Sequence, residues 1–220
     1  RWMRHFDDSI GLSWAEQRRQ PPGEPPVLPV EEHLLADKPG HRIPRTGEFY
    51  AQYEKFGFTL PVPEDLYNQG ELYNLSIGRG TLTAEERFKI NEHVMQTIAM
   101  LDRLPFPATL KDVPEYAGTH HEALNGTGYP RQLTGEDLSI PARIMAIADI
   151  FEALTASDRP YKKAKPLSVA VDILAKFKAE GHIDPDLFDL FLESGLYREY
   201  ALKHLRPEQI DEVDISRYLG

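Results

Sequence analysis

Apolar residues recur at helical spacing along the chain from Pro63 onward. In "TLTAEERFKINEHVMQTIAMLDRL", residues 81–104, Thr83 is a predicted N-cap and Glu86 is its capping-box partner. An apolar stripe with the spacing i, i+4, i+8 and i+11 follows, formed by Ile90, Val94, Ile98 and Leu101. The segment is therefore predicted to form one amphipathic helix that packs its apolar face against a core.

Three later segments carry the start and stop signals of helices. They are "SIPARIMAIADIFEALTA", "PLSVAVDILAKFKAEG" and "DPDLFDLFLESG". Cap residues and early prolines mark their starts and glycines mark their ends, at Ser139, Pro141, Gly181, Asp184, Pro185 and Gly195. Strand signals are weak, because Asn125-Gly126 stands in polar surroundings rather than between alternating apolar residues. The predicted fold class is all-α.

Residues 1–62 differ from the rest of the chain because they are rich in proline, which discourages helices and central strands. We expect a mostly irregular segment, with short helical patches at Trp2–Asp8 and Ser13–Gln20, and a helical domain over residues 63–220. A disordered linker is the alternative. Aromatic residues favour packing on the rest of the protein instead, and they are Trp2, Trp14, Phe49, Tyr50, Tyr53, Phe56 and Phe58.

Composition excludes several classes of function. The 220 residues contain no cysteine, so thiolate metal sites, cysteine nucleophiles and disulfides are absent. The formal net charge of −10 argues against broad binding of DNA or RNA. The sequence has neither an apolar run of membrane-spanning length nor a signal-peptide pattern, and a cytoplasmic location is expected.

The histidines raise the question of a metal site. Of eight, His93 lies beside the apolar stripe of a predicted helix, and His120 and His121 are adjacent. Neighbouring side chains on a helix diverge by about 100°, so a pair of metals suits them better than one ion. Asp149, in a predicted buried helix, is the candidate carboxylate ligand; a salt bridge or hydrogen bond between helices explains it equally well.

The segment "HHEALNGTGYPRQLTGEDLSIPARIMAIADIFEALTASDRPYK", with "GTLTAEERFKINEHV" before it, resembles the C-terminal half of an HD-GYP domain. The resemblance covers Glu64 to Leu192. It implies part of an HD-like helical bundle that binds two or three divalent metals, often iron or manganese, and hydrolyses cyclic di-GMP to pGpG or GMP. By this resemblance the metal-ligand positions are His93, His120, His121 and Asp149.

The same resemblance assigns roles to further residues. Gly128, Tyr129 and Pro130 match the signature loop, which shapes the pocket edge and contacts signalling proteins. Arg159 and Lys163 fall near the substrate-binding basic positions, and Lys162 lies in the same positive run. The alternative to substrate binding is that this run is only the solvent-exposed start of a helix. Glu122 is expected to support the site by orienting His121 or a neighbouring helix.

The chain departs from the family pattern in one respect, because none of its histidines is followed by aspartate. The family's His-Asp dipeptide supplies two metal ligands. Either it lies upstream of Arg1, since the chain has no initial methionine, or it has been lost. The upstream interpretation is favoured, and it makes residues 1–62 an insertion. It also predicts that the 220 residues alone hold metal poorly or not at all and are inactive as an enzyme.

Two functions are therefore expected. The first is a metal-dependent cyclic di-GMP phosphodiesterase, of which this chain is the C-terminal catalytic part. The alternative is a non-catalytic HD-GYP module that binds a nucleotide or a signalling protein. A different phosphohydrolase substrate is a weaker third interpretation, and a homodimer is an open expectation.

Overall fold

A computed structural model describes residues 1–7, 9–19, 27–33, 35–45, 53–78, 80–157 and 164–219. The chain forms two compact units. The first comprises Arg1–Gln52 with Pro61–Glu92, and the second comprises Tyr53–Leu60 with His93–Gly220. The predicted division of the sequence at residue 62/63 stays a prediction.

The first unit contains two small antiparallel sheets. Strand β1 (Trp2–Arg4) pairs with β2 (Val30–Glu32), and β3 (Arg42–Pro44) pairs with β4 (Asp65–Asn68). Two short helices, α1 (Trp14–Arg19) and α2 (Glu71–Leu75), belong to the same unit.

The predicted helical patch at Trp2–Asp8 is wrong, because Trp2–Arg4 is a strand and Asp8 lies outside the described residues. Arg4 explains this outcome: its side chain is buried and its Nε donates to the Glu32 carboxylate at 2.9 Å, across the sheet. A contact between distant residues thus overrides local preference. The second patch is confirmed by α1, although its last predicted residue, Gln20, is not among the described ones.

The aromatic residues of the first 62 positions do not all pack as predicted. Trp14 is 70% exposed, with the Arg18 guanidinium over its ring. Phe56 and Phe58 stack with their ring centroids 5.5 Å apart in the second unit. Phe49 and Tyr50 lie outside the described residues.

The long helix α3 spans Ala84–Leu101 and begins as the sequence predicts. The Thr83 amide donates to the Glu86 carboxylate at 2.9 Å, and the Glu86 amide donates to Thr83 Oγ1 at 3.2 Å. Val94 and Ile98 are buried as predicted, but Ile90 is 53% exposed. The predicted stripe is therefore wrong at its first position, where α3 buries other residues, Glu85, Phe88 and Glu92.

The second unit is a helical bundle with one continuous apolar core. Its helices after α3 are α4 (Val113–Thr119), α5 (Ile140–Thr155), α6 (Leu167–Ala179), α7 (Pro185–Glu193) and α8 (Leu196–His204). Helices α5 to α8 supply the core, with Phe151, Leu174, Phe188 and Tyr197 among its members. The chain after α8 also packs on it, through Ile210, Val213 and Tyr218.

The predicted helix boundaries of this unit are confirmed. Ser139 stands at the N-cap of α5, and Gly181 follows α6 with a φ of 67°. The Asp184 carboxylate caps α7 by accepting from two backbone amides. The all-α class is confirmed as well, since each strand among the described residues has only three or four residues. In the described part of the chain, no helix is long and apolar enough to span a membrane.

Candidate metal centre

Three histidines of the second unit converge on one point. His93 comes from the middle of α3, while His120 and His121 follow the end of α4. One ligand nitrogen from each lies within 4.8 Å of those of the other two. The adjacent pair converges because α4 ends at Thr119, so the two residues occupy a turn rather than successive helix positions. Their ring centroids are 4.2 Å apart.

This spacing fits a divalent metal. Metal–imidazole bonds are about 2.0–2.1 Å long, so two ligands of one ion lie at most roughly 4.2 Å apart. The three nitrogens need only small movements to bind one shared ion. They need smaller movements if they bind separate, neighbouring ions. Imidazole and carboxylate ligands suit iron, manganese and zinc.

A backbone contact indicates which nitrogen of His120 can bind a metal. Its Nδ1 lies 2.8 Å from the carbonyl oxygen of Ala117. Because a carbonyl only accepts hydrogen bonds, Nδ1 carries the proton and Nε2 keeps its lone pair. Partners of this kind orient metal-bound histidines and raise their basicity.

His121 is held neutral. Burial lowers its pKa to about 4, and the positive charge that His120 and His93 can carry acts in the same direction, while Asp149 opposes it. A neutral imidazole is the form that binds metal, so His121 is ready to do so at neutral pH.

Asp149 lies beside this cluster, with Oδ2 3.7 Å from Nδ1 of His121. Its side chain is 37% exposed, so the prediction of a largely buried aspartate is wrong. The inward face of α5 carries Ala146, Ile147 and Phe151 instead. A partly exposed carboxylate needs no structural partner, and its position at the cluster is what makes it a candidate ligand.

The signature loop, Gly128–Pro130, forms one wall of the site. The Tyr129 ring stacks on His121 with centroids 4.8 Å apart and planes inclined by 27°. Its amide also donates to the His121 carbonyl at 3.1 Å. Burial and Asp149 raise the pKa of the Tyr129 phenol to about 12, so the ring stays uncharged.

Glu122 holds this loop in place. Its side chain is almost fully buried and accepts from the amides of Arg131 at 2.7 Å and Leu133 at 2.9 Å. Burial raises its pKa, and the two amides and Arg131 oppose that effect. The expected role of Glu122, to orient His121 or a neighbouring helix, stays a prediction, and the hydrogen bonds of its carboxylate go to the backbone just after the signature loop.

Gly128 makes the close approach of the loop possible. A Cβ at this position would lie 2.4 Å from both the Ala123 nitrogen and the Glu122 Cα. On the far side of the loop, the Thr59 amide donates to the Pro130 carbonyl at 2.8 Å. Besides the Tyr129 ring, the loop region is thus held by the hydrogen bonds of the Tyr129 amide, of the Thr59 amide and of the Glu122 carboxylate.

The predicted substrate-binding residues Arg159, Lys162 and Lys163 lie outside the described residues. Sequence reasoning also missed three contributors, namely the Ala117 carbonyl, the stacking role of Tyr129 and the bond from Thr59. A backbone carbonyl has no residue signature, and the contact from Thr59 to Pro130 spans 71 positions. No local pattern could have revealed either of them.

A family model described as HD domain matches residues 29–187. The chain belongs to the HD domain family. This confirms the resemblance drawn from the sequence, and the HD domain is a fold of metal-dependent phosphohydrolases. The histidine cluster is the candidate metal site of this HD domain.

Curated relatives carry related names. A cyclic di-GMP phosphodiesterase of Vibrio cholerae is 38% identical over 199 residues, which cover 83% of this HD domain chain and 38% of the relative. One of Pseudomonas aeruginosa is 36% identical over 156 residues, covering 70% and 34%. A 3'3'-cGAMP-specific phosphodiesterase of Vibrio cholerae is 43% identical over 83 residues, covering 38% and 19%. The HD domain chain thus spans less than half the length of these relatives.

Proposed function

We propose that this HD domain chain is part of a metal-dependent phosphodiesterase that hydrolyses a cyclic dinucleotide. The observation that carries the proposal is the convergence of His93, His120 and His121 with Asp149 3.7 Å from His121. The substrate class is supported by relatives named for cyclic di-GMP and for 3'3'-cGAMP. We propose cyclic di-GMP as substrate, with pGpG or GMP as product.

The proposed cofactors are two or three divalent ions, iron or manganese, held by the three histidines and Asp149. Such ions lower the pKa of a bound water and so supply hydroxide near neutral pH. His120 would bind through Nε2, because its Nδ1 is hydrogen-bonded to the Ala117 carbonyl. Neutral His121 binds without first losing a proton, and the Asp149 carboxylate offsets part of the cationic charge.

The basic run Arg159, Lys162 and Lys163 is the proposed phosphate-binding group of the substrate site. A guanidinium binds phosphate oxygens through paired hydrogen bonds, and an ammonium adds a point charge. Both stabilise negative charge that grows as the phosphodiester is attacked. The signature loop as a contact for a signalling protein, and a homodimer, stay predictions.

A non-catalytic nucleotide-binding module is the second candidate. It is favoured by the absence of any His-Asp dipeptide from the 220 residues. An assay separates the two candidates. The complete protein of which this chain is proposed to be part is prepared anaerobically with iron or manganese and incubated with cyclic di-GMP or 3'3'-cGAMP, and linear products are measured by chromatography.

The proposed enzyme hydrolyses cyclic di-GMP and loses at least about 100-fold of its rate in His120→Asn, since a metal ligand is removed. His33→Asn, at an exposed position of the first unit, is the matched control and keeps the rate. Binding of cyclic di-GMP without any product would support the second candidate and overturn the first.

A further inference from the structure

The chain beyond the HD domain match contributes a buried polar side chain. The family model ends at residue 187, and the single turn Pro207–Gln209 follows α8. Gln209 is only 5% exposed. A buried amide is costly unless its hydrogen-bonding groups find partners. The partners of Gln209 therefore indicate what it does.

Gln209 uses its whole amide group. Nε2 donates to the carbonyl oxygen of Thr155 at 2.9 Å and to that of Lys165 at 3.1 Å. Oε1 accepts from the Arg206 amide at 3.3 Å. Only this orientation of the amide satisfies the contacts, because a flipped amide would place its oxygen against the two carbonyl oxygens.

The two carbonyl groups belong to residues that flank one segment. Thr155 is the last residue of α5, where helix carbonyls lack partners within the helix. Lys165 lies just before α6, and its amide donates to the Leu154 carbonyl at 3.2 Å. The two ends of the segment 156–164 therefore lie side by side, joined by one direct backbone bond and by Gln209.

We propose that Gln209 is a positioning residue that clasps the two ends of the segment 156–164. This segment connects α5, which carries Asp149, to α6, and it includes the basic run of the proposed function. The effect on substrate rests on that proposed function, whereas the clasp itself rests on the hydrogen bonds of Gln209. Fixed ends reduce the conformational entropy that is lost when a ligand binds.

The C-terminal segment is attached to the core independently of Gln209. The Asp211 carboxylate accepts from the Ser168 amide at 2.8 Å, and the Tyr218 hydroxyl donates to Asp172 at 2.6 Å. Lys178 also donates to the Tyr218 carbonyl at 3.0 Å. A substitution at Gln209 therefore tests the clasp and leaves these attachments in place.

The decisive variant is Gln209→Glu, which keeps the shape of the side chain but has no hydrogen to donate to either carbonyl group. Tyr218→Phe is the matched control, because it removes one hydrogen bond of the same C-terminal segment away from Thr155 and Lys165. Hydrogen exchange of the Lys165 amide reports on the clasp without any assay of function. Steady-state kinetics with cyclic di-GMP, and metal content, are measured on the same proteins.

We expect Lys165 to exchange at least about tenfold faster in Gln209→Glu, and the KM for cyclic di-GMP to rise about three- to tenfold with kcat and metal content kept. Tyr218→Phe should change none of these. Unchanged Lys165 exchange in Gln209→Glu would overturn the clasp. An equal fall of kcat and metal content would show a merely structural role. If the wild type does not hydrolyse cyclic di-GMP, the proposed function fails, and Lys165 exchange still decides the clasp.

Discussion

At the scale of single residues, His121 is the centre of the site. Its ring is in contact range of His93, His120 and Tyr129, and Asp149 lies 3.7 Å from its Nδ1. Its orientation is set from two sides, by the backbone turn after α4 and by the stacked phenol. This arrangement predicts that the ring of Tyr129, rather than its hydroxyl, matters for metal binding.

Tyr129→Leu should weaken the binding of Mn²⁺ about tenfold, because it removes the flat surface against which His121 rests. Tyr129→Phe keeps that surface and should bind Mn²⁺ as the wild type does. A competition titration against a coloured chelator measures both dissociation constants. Equal affinities in wild type and Tyr129→Leu would contradict the role of stacking.

The low pKa of His121 predicts how stability depends on pH in the metal-free protein. The pKa of His121 is about 4 in the folded chain and 6.5 in the absence of the folded environment. Between these two pH values the unfolded chain therefore binds one more proton than the folded chain. The contribution of neutral His121 to the free energy of unfolding is therefore intact above pH 6.5. It is lost as the pH falls toward 4. The loss is on the order of 2 kcal/mol after allowance for its partial exposure.

Denaturant titrations of the chelator-treated protein at pH 7 and pH 4.5 measure this effect. His121→Asn removes the titrating group, so its free energy of unfolding should fall less over the same interval. His182 also has a lowered pKa, but it is present in both proteins and its contribution cancels. Identical falls in the two proteins would contradict the assignment.

At the scale of elements, close approaches between segments bring the candidate ligands together. Gly118 lets α4 lie against α3, since a Cβ there would be 2.6 Å from the Ile98 side chain. Gly128 does the same for the signature loop against the turn at Glu122. Two glycines thus allow His93 to meet the His120–His121 pair and Tyr129 to reach His121.

Gly128→Ala should lower the free energy of unfolding by about 1–3 kcal/mol, because the added methyl group meets backbone atoms that have little room to move. It should also weaken metal binding as the loop is displaced from His121. Gly78→Ala is the matched control, since a Cβ there meets nothing within 4 Å. Thermal denaturation and the Mn²⁺ titration measure both effects. A Gly128→Ala protein as stable as the wild type would show that the loop adapts.

Elements also show how far the sequence could predict this molecule. The capping box of Thr83 and Glu86 and the cap at Asp184 were predictable because their partners are three residues apart or fewer. Convergence of His120 and His121 was not, since it depends on α4 ending at Thr119. The clasp by Gln209 joins positions 54 and 44 residues away, beyond any local pattern.

At the scale of the whole molecule, the second unit assembles the site from distant parts of the chain. Its core is built by α5 to α8, and α5 carries Asp149. The C-terminal segment packs on the same core. The family resemblance could name candidate ligands because the motif residues are read directly from the sequence. The partners that hold those ligands in place required the fold.

The central claim is that His93, His120 and His121 hold a divalent metal. Elemental analysis of the chain purified anaerobically without a His-tag, beside His121→Asn and the control His33→Asn, tests it most directly. The missing His-Asp dipeptide predicts weak metal binding, but three histidines and Asp149 already lie close together. We therefore expect iron or manganese in the wild type and in His33→Asn, and a loss of most of that metal in His121→Asn. Equal metal content in all three proteins, or none in the wild type, would contradict the claim.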